Sequence, residues 1–186
     1  MSLASGLGQH RPEDAREAAH LARILEFVGR HDDPFDRRIA EGHLTGSALV
    51  LSRDGRRVLL LRHRKLQRWL QPGGHAESGE SSGEAVALRE AREETGLEGL
   101  SLHPDAPRPL DVDVHEIPER PGEPAHQHLD LRYLVLAPDS PALALATDES
   151  DELRWFGWDE LGPLDLDAGL LRALAKARTF TGSANP

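Results

Sequence analysis

Apolar positions along the chain recur at two periods, and the switches between them mark out the elements. Ala15, Ala18, Ala19, Ala22, Ile24, Leu25 and Val28 recur at helical spacing with Glu and Arg between them. This predicts an amphipathic helix over residues 12–29 that packs on the main body. Asp32-Asp33-Pro34 reads as a connector. The apolar runs at 47–51 and 58–62 flank Arg53-Asp54-Gly55-Arg56, a strong hairpin signal. Trp69-Leu70 ends a short extended piece before a predicted turn at Pro72-Gly73-Gly74. A helix is expected over 82–95, with Gly96 where a helix C′ glycine belongs. Residues 104–124 are rich in proline and are expected to be mostly loop with brief extended pieces. Strands are predicted at 129–137 and 153–158, and a closing helix at 165–179 with Leu166, Leu170, Leu171 and Leu174 on one face. The pattern suggests an N-terminal helical extension (1–40), a single domain (41–180) and a flexible tail (181–186), with no internal repeat.

Composition narrows the function. The chain has 186 residues, enough for one sizeable core. No apolar run approaches the roughly 18 residues that cross a bilayer, and the first ten residues lack the basic and apolar regions of a leader. Cysteine is absent, which removes disulfides, thiolate metal sites and thiol nucleophiles and is compatible with a cytoplasmic setting. The net charge of -10 argues against a DNA partner. It leaves room for a phosphate-handling site in which a divalent cation supplies the positive charge.

The chemistry concentrates at residues 73–97, GGHAESGESSGEAVALREAREETGL. Ser81 followed by Glu84 reads as a capping box that starts a helix. Along it, Glu90, Glu93 and Glu94 fall at i, i+3 and i+4, three carboxylates on one face. Like charges so placed repel by a few tenths of a kcal/mol, and a hard divalent cation reverses that sign. Arg89 stands four residues before Glu93 and can orient it. The two glycines before the helix permit a close backbone approach. A solvated acidic helix face is the plainer alternative, but it does not explain the coincidence of glycines, cap, arginine and glutamates.

These residues resemble the Nudix box, G-x5-E-x7-R-E-U-x-E-E-x-G-U, where U is aliphatic. Gly74, Glu80, Arg89, Glu90, Glu93, Glu94, Gly96 and Leu97 match, with Ala91 at the first U position. Eight residues rather than seven separate Glu80 from Arg89, and the extra one is assigned to the Ser81-Ser82-Gly83 turn. The departure bears on the role of Glu80 more than on the three glutamates of the helix. His43-Leu44-Thr45, the run from Trp69 to His75 and the region from His115 to Tyr133 are similar to one bacterial Nudix subgroup, so the resemblance spans roughly residues 40–162.

The resemblance implies an α/β fold, an α/β/α sandwich around a central mixed β-sheet, with the N-terminal helix added. It implies hydrolysis of a pyrophosphate bond in a nucleoside diphosphate linked to another moiety, with Mg2+ or Mn2+. Glu93 and Glu94 would bind metal, Glu90 would bind metal or act as base, the Gly74 carbonyl would be a further ligand, and Arg89 would hold the glutamates in place. The expected partner is a small nucleotide-derived substrate, with neither DNA nor membrane. Relatives often form homodimers, and the sequence leaves the oligomeric state open. A Nudix-fold isomerase and a non-catalytic nucleotide sensor are the alternatives. Intact helix glutamates argue against the sensor.

Several residues outside the box have two readings. Alternation puts His126, His128 and Asp130 on one strand face, where they line the substrate pocket, add a metal ligand, or form a polar face bonded to the adjacent loop. A zinc site is not favoured, because spacing implies no third nitrogen. His75 either touches substrate or is exposed, and His115 and Glu116 are expected to position a loop. Asp148, Glu149, Asp151 and Glu152 form an acidic stretch. The resemblance implies that Glu149 or Glu152 could supply a further ligand or the base; otherwise the stretch is simply solvated. Trp155, Phe156 and Trp158 read as core. The basic run from Arg62 to Lys65, with Arg68, either holds a terminal phosphate or decorates a strand end.

Overall fold

Strand β1 (Gly42–Leu51) is the axis of the computed structural model, which describes residues 3–139 and 150–181. All ten residues of β1 are buried, because it is paired on both edges and covered on both faces. It runs parallel to β7 (His126–Leu136) from Gly42 opposite Gln127 to Leu51 opposite Leu136. On its other edge it pairs antiparallel with β2 (Arg57–His63), through the expected Asp54-Gly55 hairpin, and with β4 (Gly73–His75). Gly55 has φ +67, the left-handed region that such a turn requires. Strand β3 (Arg68–Leu70) and β8 (Ser150–Gly157) flank β2. Strand β5 (Ser101–Leu102) and β6 (Asp111–Ile117) flank β7.

Alternation along β1 separates two cores. Leu44, Ala48 and Val50 share one with Val86 and Ala87 of helix α3 (Gly83–Thr95) and with Leu21, Ile24 and Phe27 of α2 (Ala15–Arg30). Leu49 and Leu51 share the other with Leu134, Leu136, Phe156 and the buried leucines of α4 (Ala168–Arg178). The result is the expected α/β/α arrangement around a mixed sheet. A short α1 (Leu3–Leu7) packs against α2. Gly46 marks where α3 presses on the sheet: a Cβ there would lie 2.5 Å from the Gly83 carbonyl and 2.9 Å from the Ala87 amide. Among the described residues no helix is long and apolar enough to cross a membrane.

Three local expectations are corrected. Residues 111–117 are not a loop with only brief extended pieces. They form β6, paired with β7 from Asp111 opposite Arg132 to Ile117 opposite His126. His115 and Glu116 therefore lie on a strand rather than in a loop. Aspartate is poorly suited to strands, but Asp111 and Asp113 are buried against arginines that the local sequence does not show. The predicted turn at 72–74 becomes β4, because two residues without side chains can lie flat against β1. Finally, α3 is capped by Ser82, not Ser81: the Ala85 amide donates to Ser82 Oγ at 3.4 Å.

Where α2 and α4 meet the β6 edge, ionic groups are buried. Glu17 is fully buried and accepts from the Glu13 amide at 2.6 Å, from Lys176 Nζ, and pairs with His10 at 2.7 Å. Arg172 forks onto Asp111 at 2.8 and 2.9 Å, and Arg132 donates to Asp113 at 2.9 Å. Each charge has an opposite partner and hydrogen bonds, the condition under which buried charges are tolerated.

Candidate active site

The sheet faces are polar at one end. On β1 the side chains of His43, Thr45 and Ser47 alternate onto the face away from α3, before that face turns apolar at Leu49. Parallel register sets His128, Asp130 and Arg132 opposite them. Antiparallel register adds His115, Asp113 and Asp111 on β6, and His75 of β4 opposite Thr45. Asp130 accepts from Thr45 Oγ1 at 3.0 Å, Ser47 Oγ at 2.7 Å and Arg132 Nε at 3.1 Å, so its carboxylate is committed to holding these strands together.

His115 and His128 of this face also line a cleft of about 900 Å³ that reaches past β4 to the glutamates of α3. Glu90, Glu93 and Glu94 all line it, together with Gly73, Gly74 and His75. The Gly74 backbone passes so close to Glu90 that a Cβ would lie 2.4 Å from Oε1. The Gly73 amide donates to Glu94 Oε2 at 2.9 Å. Burial pushes the Glu90 carboxyl above its ordinary pKa, with Arg89 opposing.

Arg89 organises this wall. It donates to the His75 carbonyl at 2.6 Å, to Glu93 Oε2 at 2.8 Å and to both Glu80 oxygens at 3.0 to 3.2 Å, and lies 3.2 Å from Glu90 Oε1. Despite the extra residue, Glu80 thus reaches Arg89, and its own carboxyl is held below the usual range chiefly by that hydrogen bond. The one-residue shift of the cap to Ser82 places the insertion between Glu80 and the helix, where it leaves the glutamate face intact. A backbone cradle with no side chain, facing three carboxylates, offers hard oxygen donors of the kind Mg2+ or Mn2+ takes. The residues present fit such an ion.

Beside the glutamates stands a group of histidines. Nε2 of His75 lies 3.0 Å from Nε2 of His128, which is 3.4 Å from Nε2 of His126. The His43 ring stacks 5.2 Å from His126 and tilts 5.0 Å from both His75 and His128. Burial first, then crowding with groups of like charge (His126 and Arg37 for His43, Arg37 for His75, the other imidazoles for His128), brings His43 and His75 down to about 4 and His128 to about 2. These rings are neutral at pH 7.

The structure therefore brings Gly74, His75, Glu90, Glu93, Glu94 and His128 to one cleft; Asp130 lines an adjoining pocket that shares Gly74, His75 and His128 with it, and His126 is buried and lines neither. Glu152 is exposed on β8 opposite Arg62 and does not line the cleft, and Asp148 and Glu149 lie outside the described residues. Of the basic run, His63, Arg64 and Lys65 line the cleft, with Arg64 bonded to Asp151 at 2.7 Å. Phe156 is core, as read from the sequence. The sequence reading gave no roles to Arg37 and Arg120, which also line the cleft. It also gave none to Thr45 and Ser47, whose alternation with apolar residues on β1 was the available signal.

A mixed sheet between helices, with a glycine-loop-helix unit presenting an arginine-clamped glutamate cluster to a cleft, defines the Nudix class of protein. The family model for the NUDIX domain matches residues 42–177, and the chain belongs to that family. It is 36% identical over 94 residues to a probable DHNTP pyrophosphohydrolase of Lactococcus lactis subsp. cremoris (strain MG1363), a match covering 50% of this chain and 52% of that protein. The chain thus spans about half the length of that curated relative. Among solved structures it is similar to a NUDIX family hydrolase from Clostridium perfringens, with TM-score 0.59 and 23% identity, covering 74% of this chain and 97% of that one. It is also similar to the NUDIX domain of NrtR from Shewanella oneidensis complexed with ADP ribose, with TM-score 0.56 and 18% identity, covering 83% and 96%. At these identities the structural likeness is one of fold.

Proposed function

We propose that the chain is a divalent-metal-dependent hydrolase that splits a pyrophosphate bond in a nucleoside diphosphate linked to another moiety. The observation that carries this reading is the glutamate cluster itself: Glu90, Glu93 and Glu94 line one cleft with the side-chain-free backbone of Gly74. Glu90, Glu93, Glu94 and the Gly74 carbonyl would hold Mg2+ or Mn2+. Such an ion supplies charge neutralisation of the diphosphate and activation of the attacking water.

The protein's own groups do the rest. Arg89 fixes the carboxylates by donating to Glu93 and to the His75 carbonyl, so that they are ordered before substrate arrives. Glu90, partly buried and backed by Arg89, is placed to bind metal or to accept the proton of the attacking water. Lys65, Arg37 and Arg120 give the cleft cationic side chains suited to substrate phosphates. His75 and His128 would contact substrate, with Asp130 positioning the strand that carries His128. The Lactococcus relative is named for DHNTP and the Shewanella domain was complexed with ADP ribose, so both compounds belong in the substrate panel.

The test is the appearance of the two phosphorylated products, separated by chromatography or read as phosphate released after added phosphomonoesterase and pyrophosphatase, from a panel of nucleoside diphosphate derivatives, with ADP ribose and DHNTP included, in Mg2+ or Mn2+. Turnover that disappears with chelator and in Glu93→Gln and Glu94→Gln supports the hydrolase. A folded, metal-bound protein that turns over no panel member would refute it.

A further inference from the structure

The histidines beside the glutamate cluster come from strands far apart in sequence, and the sheet registers alone bring them together. His43 stands opposite His128 in the β1–β7 ladder, and His75 reaches the same face from β4. One ring nitrogen from each of these three residues lies within 4.8 Å of the others. A tetrahedral ion with metal–nitrogen bonds of about 2.0–2.1 Å holds its ligand nitrogens about 3.3–3.4 Å apart. The 3.0 Å between His75 and His128 is already near that spacing, and rotation of the rings by less than about 1 Å each closes the rest.

Two features of the hydrogen bonding point the same way. His43 is 3% exposed, yet neither of its ring nitrogens has a hydrogen-bond partner. Buried polar atoms are ordinarily satisfied, and coordination would give a partner to the nitrogen of this ring that carries the lone pair. Nε2 of His128 meanwhile faces two other imidazole nitrogens, at 3.0 and 3.4 Å. One proton can serve only one of those contacts. A cation held by His75 and His128 removes the competition at the shorter contact.

We propose that His43, His75 and His128 bind a transition-metal ion of the zinc class, at a site distinct from the hard-oxygen site of the glutamates. Imidazole selects Zn2+, Co2+ and Ni2+, whereas Mg2+ is held by oxygen. Three protein nitrogens leave one coordination position open, the pattern of metal sites that take up an external ligand. His75 and His128 line the cleft, so that position faces its contents, and an anionic oxygen such as that of a phosphate is the ligand it suits. The site stands on the histidine geometry and does not depend on the hydrolase reading.

The full chain, stripped with chelator, is titrated calorimetrically with Zn2+ in excess Mg2+. One equivalent is expected to bind, and to bind equally well in Glu93→Gln and Glu94→Gln. His43→Gln and His128→Gln are expected to weaken it by more than about 100-fold, since loss even of an outer partner costs 10- to 100-fold. Because a histidine variant can fail to fold, the wild-type protein is also loaded with Co2+. Intense visible bands, the mark of a four-coordinate nitrogen-ligated ion, support the site without any variant. Absence of Zn2+ binding overturns the proposal. So does Zn2+ that Mg2+ displaces or that the glutamate variants lose, a weak six-coordinate cobalt spectrum, or full Zn2+ affinity in folded histidine variants.

Discussion

Gly74→Ala tests the glutamate cluster through the backbone rather than through a carboxylate. A methyl group at this position would lie 2.4 Å from Glu90 Oε1 and 2.6 Å from its Cδ. Ordinary contact begins near 3.4 Å, so Glu90 must retreat by about 1 Å. Because the obstacle is the end of a flexible side chain, the fold absorbs this and the melting temperature stays close to that of the unmodified protein. Catalysis does not absorb it: a 1 Å misplacement of a positioned group costs about 100-fold in rate, or about 2.7 kcal/mol of barrier. The neighbouring Gly73→Ala is the control. Its Cβ meets Ser47 Cα at 2.7 Å and the Gly46 carbonyl at 2.9 Å, so β4 itself must move off β1. That overpacking is expected to lower stability by about 1–3 kcal/mol. The assay is kcat at saturating metal on the best substrate found, with a Mn2+ titration and a thermal melt for each variant. Gly74→Ala retaining activity within about threefold, while Glu90→Gln is inactive, would refute the argument that this close approach sets the Glu90 position.

Other outcomes follow from the same contacts. Arg89→Lys keeps the charge but cannot fork onto Glu80 while reaching Glu93 and the His75 carbonyl. Mn2+ titration should show metal affinity reduced about 10- to 100-fold. Glu17→Leu leaves Asp111 to pair with both Lys176 and Arg172 and removes their second partner, and urea unfolding should show a loss of about 1–3 kcal/mol. The same residue carries a pH dependence. Burial pushes its carboxyl upward, but hydrogen bonds from His10, Lys176 and the Glu13 amide hold it well below its ordinary 4.5. The stability it contributes is present above that value and drains as pH falls below it, so the urea midpoint should decline below about pH 4.5 and decline less in Glu17→Gln. Phe27→Ala removes a fully buried side chain of α2, and a loss of about 3–5 kcal/mol on chemical denaturation would show that this helix belongs to the main core.

What could be read from the sequence divides by the range of the interaction that fixes each feature. The hairpin at Asp54-Gly55, the glutamate face of α3 and its Gly96 terminus depend on residues within a few positions of one another, and all are legible in the sequence. The full length of strand β6 is not legible locally, because its stability comes from far away. Asp111 and Asp113 look unsuited to a buried strand until Arg132, 19 or more positions on, and Arg172, some 60 positions on, neutralise them. The cap of α3 was misplaced by one residue because Ser81 and Ser82 are locally equivalent. The reach of Glu80 to Arg89 is a tertiary bond that the spacing of the motif alone seemed to disfavour. The histidines illustrate the point most sharply. His126-x-His128 can be read off one strand, but a third nitrogen arrives only when β1 runs parallel to β7 with His43 opposite His128. Parallel pairing has no hairpin to announce it and depends on a long crossover. An argument from spacing that counts ligands along one segment will therefore undercount any site assembled across parallel strands.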